Sequence, residues 1–226
     1  MHQSAPIVAI DGPAGAGKST VARQLAARLG FSMIDTGAIY RSVALAALQA
    51  GIAWDDDEGL RGLLDHGLPL SFRDDRVLLA GRDVTEEIRT PEMSRGASVV
   101  SARPVVREKL LNLQRDLGHK APRGAVLEGR DIGTVVFPDA EVKFFLTATD
   151  EARALRRHAE LSEKGLNVGL PEVLSDQRRR DKDDTERAIA PMKSAPDALL
   201  VDTTGLDLAE VIERCFQLAK ARLSVP

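Results

Sequence analysis

The stretch Gly12-Pro13-Ala14-Gly15-Ala16-Gly17-Lys18-Ser19 constrains this chain more than any other. It follows an apolar run, Ile7-Val8-Ala9-Ile10, closed by Asp11. It precedes a helical pattern with apolar Val21, Leu25, Ala26 and Leu29. Strand, glycine-rich turn and helix, in that order, are the context a phosphate-binding loop requires. Glycines let the backbone curl so that successive N–H groups point at phosphate oxygens. The helix N-terminus adds the positive end of its dipole. Lys18 is placed to reach the β- and γ-phosphates, and Ser19 to ligate Mg²⁺. A chance glycine-rich turn would not match every fixed position with both flanks right. Residues from Gly12 to Thr20 are therefore expected to bind a nucleoside triphosphate, and the loop leaves open what the phosphate is used for.

The rest of the chain alternates strand and helix. Ser32-Met33-Ile34-Asp35 reads as a second strand. A helix through Ala44, Leu45 and Leu48 follows, with Thr36 as its N-cap. Asp55 to Leu64 reads as a short helix with an acidic first turn. Leu68-Pro69-Leu70-Ser71-Phe72 and Val77-Leu78-Leu79 flank Arg73-Asp74-Asp75-Arg76 as a hairpin, and Gly81-Arg82-Asp83-Val84 adds a short strand. Pro91 and Pro104 open two further helices, where the missing N–H costs nothing. Ala125-Val126-Leu127 and Val142 to Leu146 are buried strands. A helix starts at Asp150, a charged one spans Gln177 to Arg187, and Ala198 to Asp202 is the last strand before a closing helix. The pattern predicts an α/β fold: a parallel sheet of the P-loop type with helices on both faces, a small β-containing insert and a helical lid. The expected division is a core at 1–62, 104–150 and 190–226, an insert at about 63–103 and a lid at about 151–189.

With 226 residues, 43% of them hydrophobic, the chain is long enough for one α/β domain with a real core. A formal net charge of −3 gives no global basic field, which argues against nucleic acid as a partner. A single Trp and a single Tyr offer little for base stacking. Cys215, the one cysteine, falls in a helical pattern and reads as a buried thiol. No signal pattern or membrane-length apolar run is present, so a monomer in the cytoplasm, acting on small molecules, is expected.

Parallel sheets carry their working residues beyond the C-terminal strand ends. Besides the phosphate loop, two such ends are polar: Asp35-Thr36-Gly37 with Tyr40 and Arg41, and Gly129-Arg130-Asp131-Ile132-Gly133. Asp35 also fits a simple helix-start acid, and Arg130-Asp131 a surface ion pair. Gly81-Arg82-Asp83 repeats the Gly-Arg-Asp triplet but follows a short strand in the insert and reads as a hairpin turn. The charged stretch Arg178 to Arg187 fits a solvated helix laced with ion pairs. Its spacing also puts Arg180, Asp184 and Arg187 on one helical face, where two guanidiniums could close over phosphate. No histidine stands ready as a base, whereas Arg41, Arg130, Arg180 and Arg187 supply positive charge. That set suits an anionic phosphate acceptor better than a hydroxyl, which needs a base.

The phosphate loop, Asp35-Thr36-Gly37-Ala38-Ile39-Tyr40-Arg41, the segment from Gly129 to Ala140, and Arg180-Asp181 with Asp184 and Arg187 resemble bacterial cytidylate kinases, in order from about Ile7 to the C-terminus. The resemblance implies transfer of the γ-phosphoryl of ATP to CMP or dCMP with Mg²⁺. It implies that Lys18, Arg130, Arg180 and Arg187 are catalytic. Ser98, Arg107 and Asp131 would read the cytosine, and Arg41, Arg130 and Arg187 would hold its phosphate. Arg180 and Asp184 would meet the sugar, with Thr36 and Tyr40 close by. Arg153, Arg156 and Arg157 stand where lid arginines contact the donor. From spacing alone, Ser98 and Arg107 look like ordinary helical surface residues. Asp35, reaching metal through water, and Ser19 are the candidate Mg²⁺ ligands. A kinase for another monophosphate, such as UMP, is the nearest alternative. A GTP switch is the distant one: Asp202-Thr203-Thr204-Gly205 matches D-x-x-G but follows the last strand, and no N/T-K-x-D motif is present.

Overall fold

A computed structural model describes residues 5–73 and 76–223. In chain order the elements are β1 (Ile7–Asp11), α1 (Lys18–Leu29), β2 (Ser32–Asp35), α2 (Thr36–Gln49), α3 (Asp57–Asp65), β3 (Leu70–Arg73), β4 (Arg76–Leu79) and β5 (Arg82–Asp83). They continue with α4 (Pro91–Ser101), α5 (Pro104–His119), β6 (Ala125–Gly129), β7 (Val142–Thr147), α6 (Asp150–Glu163), α7 (Leu170–Glu186), β8 (Leu199–Asp202) and α8 (Leu208–Leu223). The chain divides into two compact units, one formed by the chain up to Ile34 and again from Leu117, the other by Asp35–Asp116.

The first unit is built on a five-stranded sheet in the order β2-β6-β1-β7-β8. β1 pairs in parallel with β6 on one side and β7 on the other. All five residues of β1 are buried, which is why Ile7 to Ile10 form an apolar run rather than an alternating one, with Asp11 at its end. Helices α1 and α8 cover one face: Val21, Leu25 and Ala26 meet Val211, Cys215 and Ala219 over Val8, Phe144 and Leu146. Cys215 is the buried thiol expected, and burial pushes its pKa up to about 11. Helices α6 and α7 pack on each other through a small cluster of their own, Ala154, Leu161 and Val173.

In the second unit β3, β4 and β5 form an antiparallel sheet, as the hairpin reading predicts. Its tip, Asp74-Asp75, lies outside the described residues. Gly81 turns the chain between β4 and β5 with φ +79°, and Arg82 pairs with Glu87. Helix α2 packs on α3 and α4. The Trp54 indole donates to the Ala44 carbonyl at 2.9 Å and lies against Gly96, where any side chain would collide with the ring.

Two local expectations need correction, and one turn has no counterpart in the sequence reading. The N-cap of α2 is Asp35, not Thr36: the Asp35 carboxylate accepts the Ala38 N–H at 2.8 Å. Both residue types cap well; the strand ends at Asp35 as read, and the helix begins at Thr36, one residue earlier than the cap reading assumed. Arg187 does not share the α7 face with Arg180 and Asp184, because the helix ends at Glu186 and Arg187 is extended, with φ −58° and ψ 140°. Finally, 132–136 form a single wide helical turn closed by bonds from Val136 N–H to the Asp131 carbonyl and from Phe137 N–H to the Ile132 carbonyl. Such five-residue closures are rare and concentrate at functional sites.

Gly12 joins β1 to the phosphate loop with φ +142°, and a Cβ there would stand 2.0 Å from the Leu146 carbonyl oxygen of β7. The Leu146 carbonyl belongs to a strand paired with β8 and has little room to yield. Gly12→Ala is expected to cost about 2–3 kcal/mol in strain and to lower the melting temperature by about 4–12 °C. A melting curve within about 1 °C of wild type would show that the close approach is not needed.

Candidate active site

The phosphate loop curls at Gly15 and Gly17, with φ of +76° and +86°. A Cβ on Gly17 would meet nothing within 4 Å, so the loop has open space on that side. Ser19 and Thr20 open α1 and are exposed. Lys18 is buried, and its Nζ donates to the Pro13 carbonyl across the loop at 2.7 Å. Burial lowers the Lys18 pKa to about 7, and the nearby Arg130 guanidinium pushes the same way, against Glu128, Asp11 and Asp184. In the unliganded loop this ammonium is thus poorly supported, and an arriving phosphate would restore its charge.

Beyond β6 lies the segment that carries Arg130 and Asp131. Arg130 Nε donates to Asp184 Oδ2 on α7 at 2.8 Å. The Arg187 guanidinium bonds Asp131 Oδ1 at 3.3 Å, lies 3.6 Å from Asp184 and donates to the Ala190 carbonyl at 2.7 Å. Arg187 and Asp184 therefore do face one another, though across the helix end rather than along one face. Burial disfavours the charge on Asp184, yet Arg130, Arg187 and Arg180 together hold its pKa below the usual carboxylate range. Burial likewise works against Arg130, and Asp184 more than compensates, so its pKa is raised. At the base of this segment Asp11, the last residue of β1, accepts the Ile132 and Gly133 N–H groups, each at 2.8 Å.

Helices α6 and α7 are tied to the loop itself. Arg153, 3% exposed, donates to the carbonyls of Ala14 and Ala148 and to the carboxylates of Asp150 and Asp181. Asp181 in turn accepts the Ala14 N–H at 3.3 Å, and Gln177 stands against Gly15. Arg153 thus braces the loop from behind. Arg156 donates to both the hydroxyl and the carbonyl of Thr203, and Arg157 pairs with Glu160. From the sequence, Asp11 and Gln177 have no assigned role, and Asp181 appears only as part of a motif. For Asp11 the available signal is a carboxylate ending an otherwise apolar strand; for the other two there is none, because the charged helix offers many equal candidates.

The second unit holds the remaining candidates. Asp35 Oδ2 accepts from Arg41 Nη2 at 2.9 Å while its other oxygen caps α2. Tyr40 is buried, and the Arg107 guanidinium lies 5.7 Å from its ring centroid. Arg107 is not the surface residue its spacing suggests: it is 8% exposed and donates to the Ser101 carbonyl at 3.2 Å. Ser98 is half-buried on α4.

The profile of the family described as cytidylate kinase matches residues 8–221. The chain belongs to that family. It is 52% identical over 220 residues to the cytidylate kinase of Geobacter sulfurreducens, covering 96% of this chain and 93% of that one. With the cytidylate kinase of Syntrophotalea carbinolica the identity is 50% over 222 residues, covering 97% and 94%. An uncharacterized protein from Eubacterium ventriosum shares the fold, with a TM-score of 0.54 at 12% identity over 96% of this chain and 99% of that one. As a cytidylate kinase family member the chain is a phosphotransferase of the P-loop type. The wide turn, Arg130 and Asp131 belong to one segment after β6, and their partners Asp184 and Arg187 come from α7 and its end.

Asp184 tests the lattice. Its depressed pKa means that the ionised carboxylate stabilises the fold above its unfolded pKa of about 4, and that this contribution is lost as pH falls through the lower folded value. Asp184→Asn, which leaves Arg130 and Arg187 underpaired, should cost about 3 kcal/mol near neutral pH and lower the melting temperature by about 6–12 °C. The gap to wild type should close as pH drops below about 4. An equal gap at every pH would show that charge pairing is not the source.

Proposed function

We propose that the protein transfers the γ-phosphoryl group of ATP to CMP or dCMP, giving ADP and the diphosphate. The observation that supports this most is the lattice of Arg130, Asp131, Asp184 and Arg187 in a chain of the cytidylate kinase family. Arginines poised on carboxylates suit a dianionic acceptor, which needs no base but needs its charge and the donor's brought together. Arg41, Arg130 and Arg187 hold the acceptor phosphate, and Arg180 with Asp184 meets the sugar. Thr36 and Tyr40 flank the nucleotide. Lys18 and the amides of the Gly12–Thr20 stretch bind the triphosphate, and the exposed opening of α1 beside Gly17 fits that role. Arg156 meets the donor from the lid, which comprises about residues 151–189.

The donor set also fits Mg²⁺, which takes hard oxygen ligands and usually relies on substrate phosphates. The exposed Ser19 hydroxyl is the direct ligand from this chain. Asp35, through water, is the weaker candidate, since both its oxygens already serve Ala38 and Arg41. Bound Mg²⁺ would neutralise charge on the transferring phosphates. No described helix is long and apolar enough to cross a membrane. In this reading the protein works on free nucleotides, as a monomer in the cytoplasm.

Base choice follows from donors and acceptors. Cytosine presents an exocyclic amine where uracil presents an oxygen. Asp131 accepts from the amine, Arg107 donates to N3 or O2, and Ser98 supports them. A carboxylate facing uracil's oxygen loses about 1–3 kcal/mol, or about ten- to two-hundredfold in kcat/KM. Wild type should prefer CMP to UMP within that range. Asp131→Ala should narrow the preference chiefly by losing activity on CMP. A coupled ADP-release assay with both acceptors decides: equal use of CMP and UMP by wild type, or full preference in Asp131→Ala, overturns the base-reading role. In the same assay Lys18→Met should lower kcat by about 10²-fold or more without unfolding the protein, and near-normal turnover would remove Lys18 from the catalytic set.

A further inference from the structure

Asp11 is 4% exposed and touches none of the groups assigned to substrate above. Its two oxygens each accept one N–H, from residues adjacent to one another and 121 and 122 positions distant. Those N–H groups open the wide turn at 132–136. The first N–H groups of any helical turn lack partners within it and must find an acceptor elsewhere. A carboxylate can take two neighbouring N–H groups, one on each oxygen, without presenting a donor of its own. Asn would offer one acceptor and turn an N–H against an N–H.

We propose that Asp11 is a positioning residue: by accepting the Ile132 and Gly133 N–H groups together, it fixes the Gly129–Gly133 segment, and with it Arg130 and Asp131, to the strand that opens the phosphate loop. The functional part of this inference rests on the roles given above to Arg130 and Asp131. The segment is held by the sheet at Gly129 and by ion pairs at Arg130 and Asp131, and Asp11 holds the two backbone N–H groups that follow. Asp11 stands in register with Gly129 of β6 and Phe145 of β7. A Cβ on Gly133 would sit 3.1 Å from the Lys143 side chain and 3.4 Å from Asp11 Oδ2. Donor loop and acceptor-side segment thus share one backbone anchor, and a shift of the turn would move the acceptor groups without disturbing the loop's own fold.

Stability alone does not account for a carboxylate here. Burial pushes the Asp11 carboxyl up to about 6, overriding its two backbone bonds. Asp131 in the turn pushes it further up, and Lys18 on α1 pulls it down. Glu128 on β6 and Arg130 act on Lys18 in the same surroundings, and the Lys143 ammonium is engaged by Asp197 and the Pro138 carbonyl. Because the folded pKa is raised, what this group contributes to stability is present below about pH 4 and is lost as pH rises through about 6. The ionised form is therefore kept at neutral pH against its own folding preference.

The test has two parts. In Asp11→Asn, with circular dichroism and melting temperature close to wild type, kcat on CMP should fall by about tenfold or more and KM for CMP should rise. KM for ATP should change by less than about twofold. A purely structural role would instead lower the melting temperature and leave the kinetic constants of the folded fraction unchanged. A folded Asp11→Asn with wild-type kcat and KM for CMP overturns the proposal. The second part needs no variant. In substrate-free, ¹⁵N-labelled wild type, the Ile132 and Gly133 amide protons should titrate together with a midpoint near about pH 6, as one acceptor oxygen gains its proton. No common movement of the two amides anywhere between about pH 3 and about pH 8, a window that includes an ordinary carboxylate's titration, overturns the proposal even if the variant does not fold. If wild type phosphorylates an acceptor other than CMP, the substrate reading fails on its own, while the amide titration and the KM for that acceptor still test Asp11.

Discussion

Charge is the constraint the first unit has to solve. A site for two anionic phosphates must gather lysine and arginine, and gathered cations repel one another when buried. The protein answers by giving its guanidiniums carboxylate partners. Arg130 has Asp184, Arg187 has Asp131 and Asp184, and Arg153 has Asp150 and Asp181. Burial lowers the Lys18 pKa to about 7, and the neighbouring Arg130 guanidinium adds to the shift. Without such partners the site would be a cluster of desolvated like charges.

The same pairs do structural work on the helices. Helix α7 is polar on almost every turn and buries only Val173, Gln177 and Asp184. It has little apolar surface with which to hold its place. What places it is Asp184 on Arg130, Asp181 on Arg153 and the Ala14 amide, and Gln177 on the Arg153 carbonyl. A helix held mainly by ion pairs and hydrogen bonds is held by contacts that phosphate can exchange, whereas α1 and α8 are held by an apolar core that substrate cannot enter. The contrast is between a helix whose placement rests on polar contacts and a sheet whose placement rests on apolar burial.

Much of this was legible from residues alone, for physical reasons. β1 and its loop could be read because burial on both faces forces an apolar run, and a curled backbone forces glycines. The insert could be read because period-two alternation around Arg73–Arg76 has no helical equivalent. Arg107 was misjudged because its burial depends on Tyr40 and Ser101, which lie on other helices and leave no trace in local spacing. Arg187 was misplaced by one residue of helix, enough to turn a shared face into a helix end. Arg153 resembles a ligand-facing lid arginine in sequence, yet Ala14, Ala148, Asp150 and Asp181 take its donors. The wide turn at 132–136 has no signature in side-chain pattern, because a backbone closure with partners on another strand produces it.

The turn also shows why sequence marks the Gly129–Gly133 segment so strongly. Gly129 ends a strand in register with Asp11, Arg130 reaches Asp184, Asp131 meets Arg187, and Ile132 and Gly133 present their N–H groups to Asp11. Five consecutive residues therefore make long-range commitments of different kinds: one to the sheet, two to the arginine–carboxylate lattice and two to the base of the phosphate loop. Each can be met in only one backbone conformation. A substitution at any of them disturbs its neighbours' partners as well as its own, so effects there should be non-additive. The lattice and the phosphate loop are joined through this short stretch of backbone, which makes its geometry as much a part of the site as the charged groups it carries.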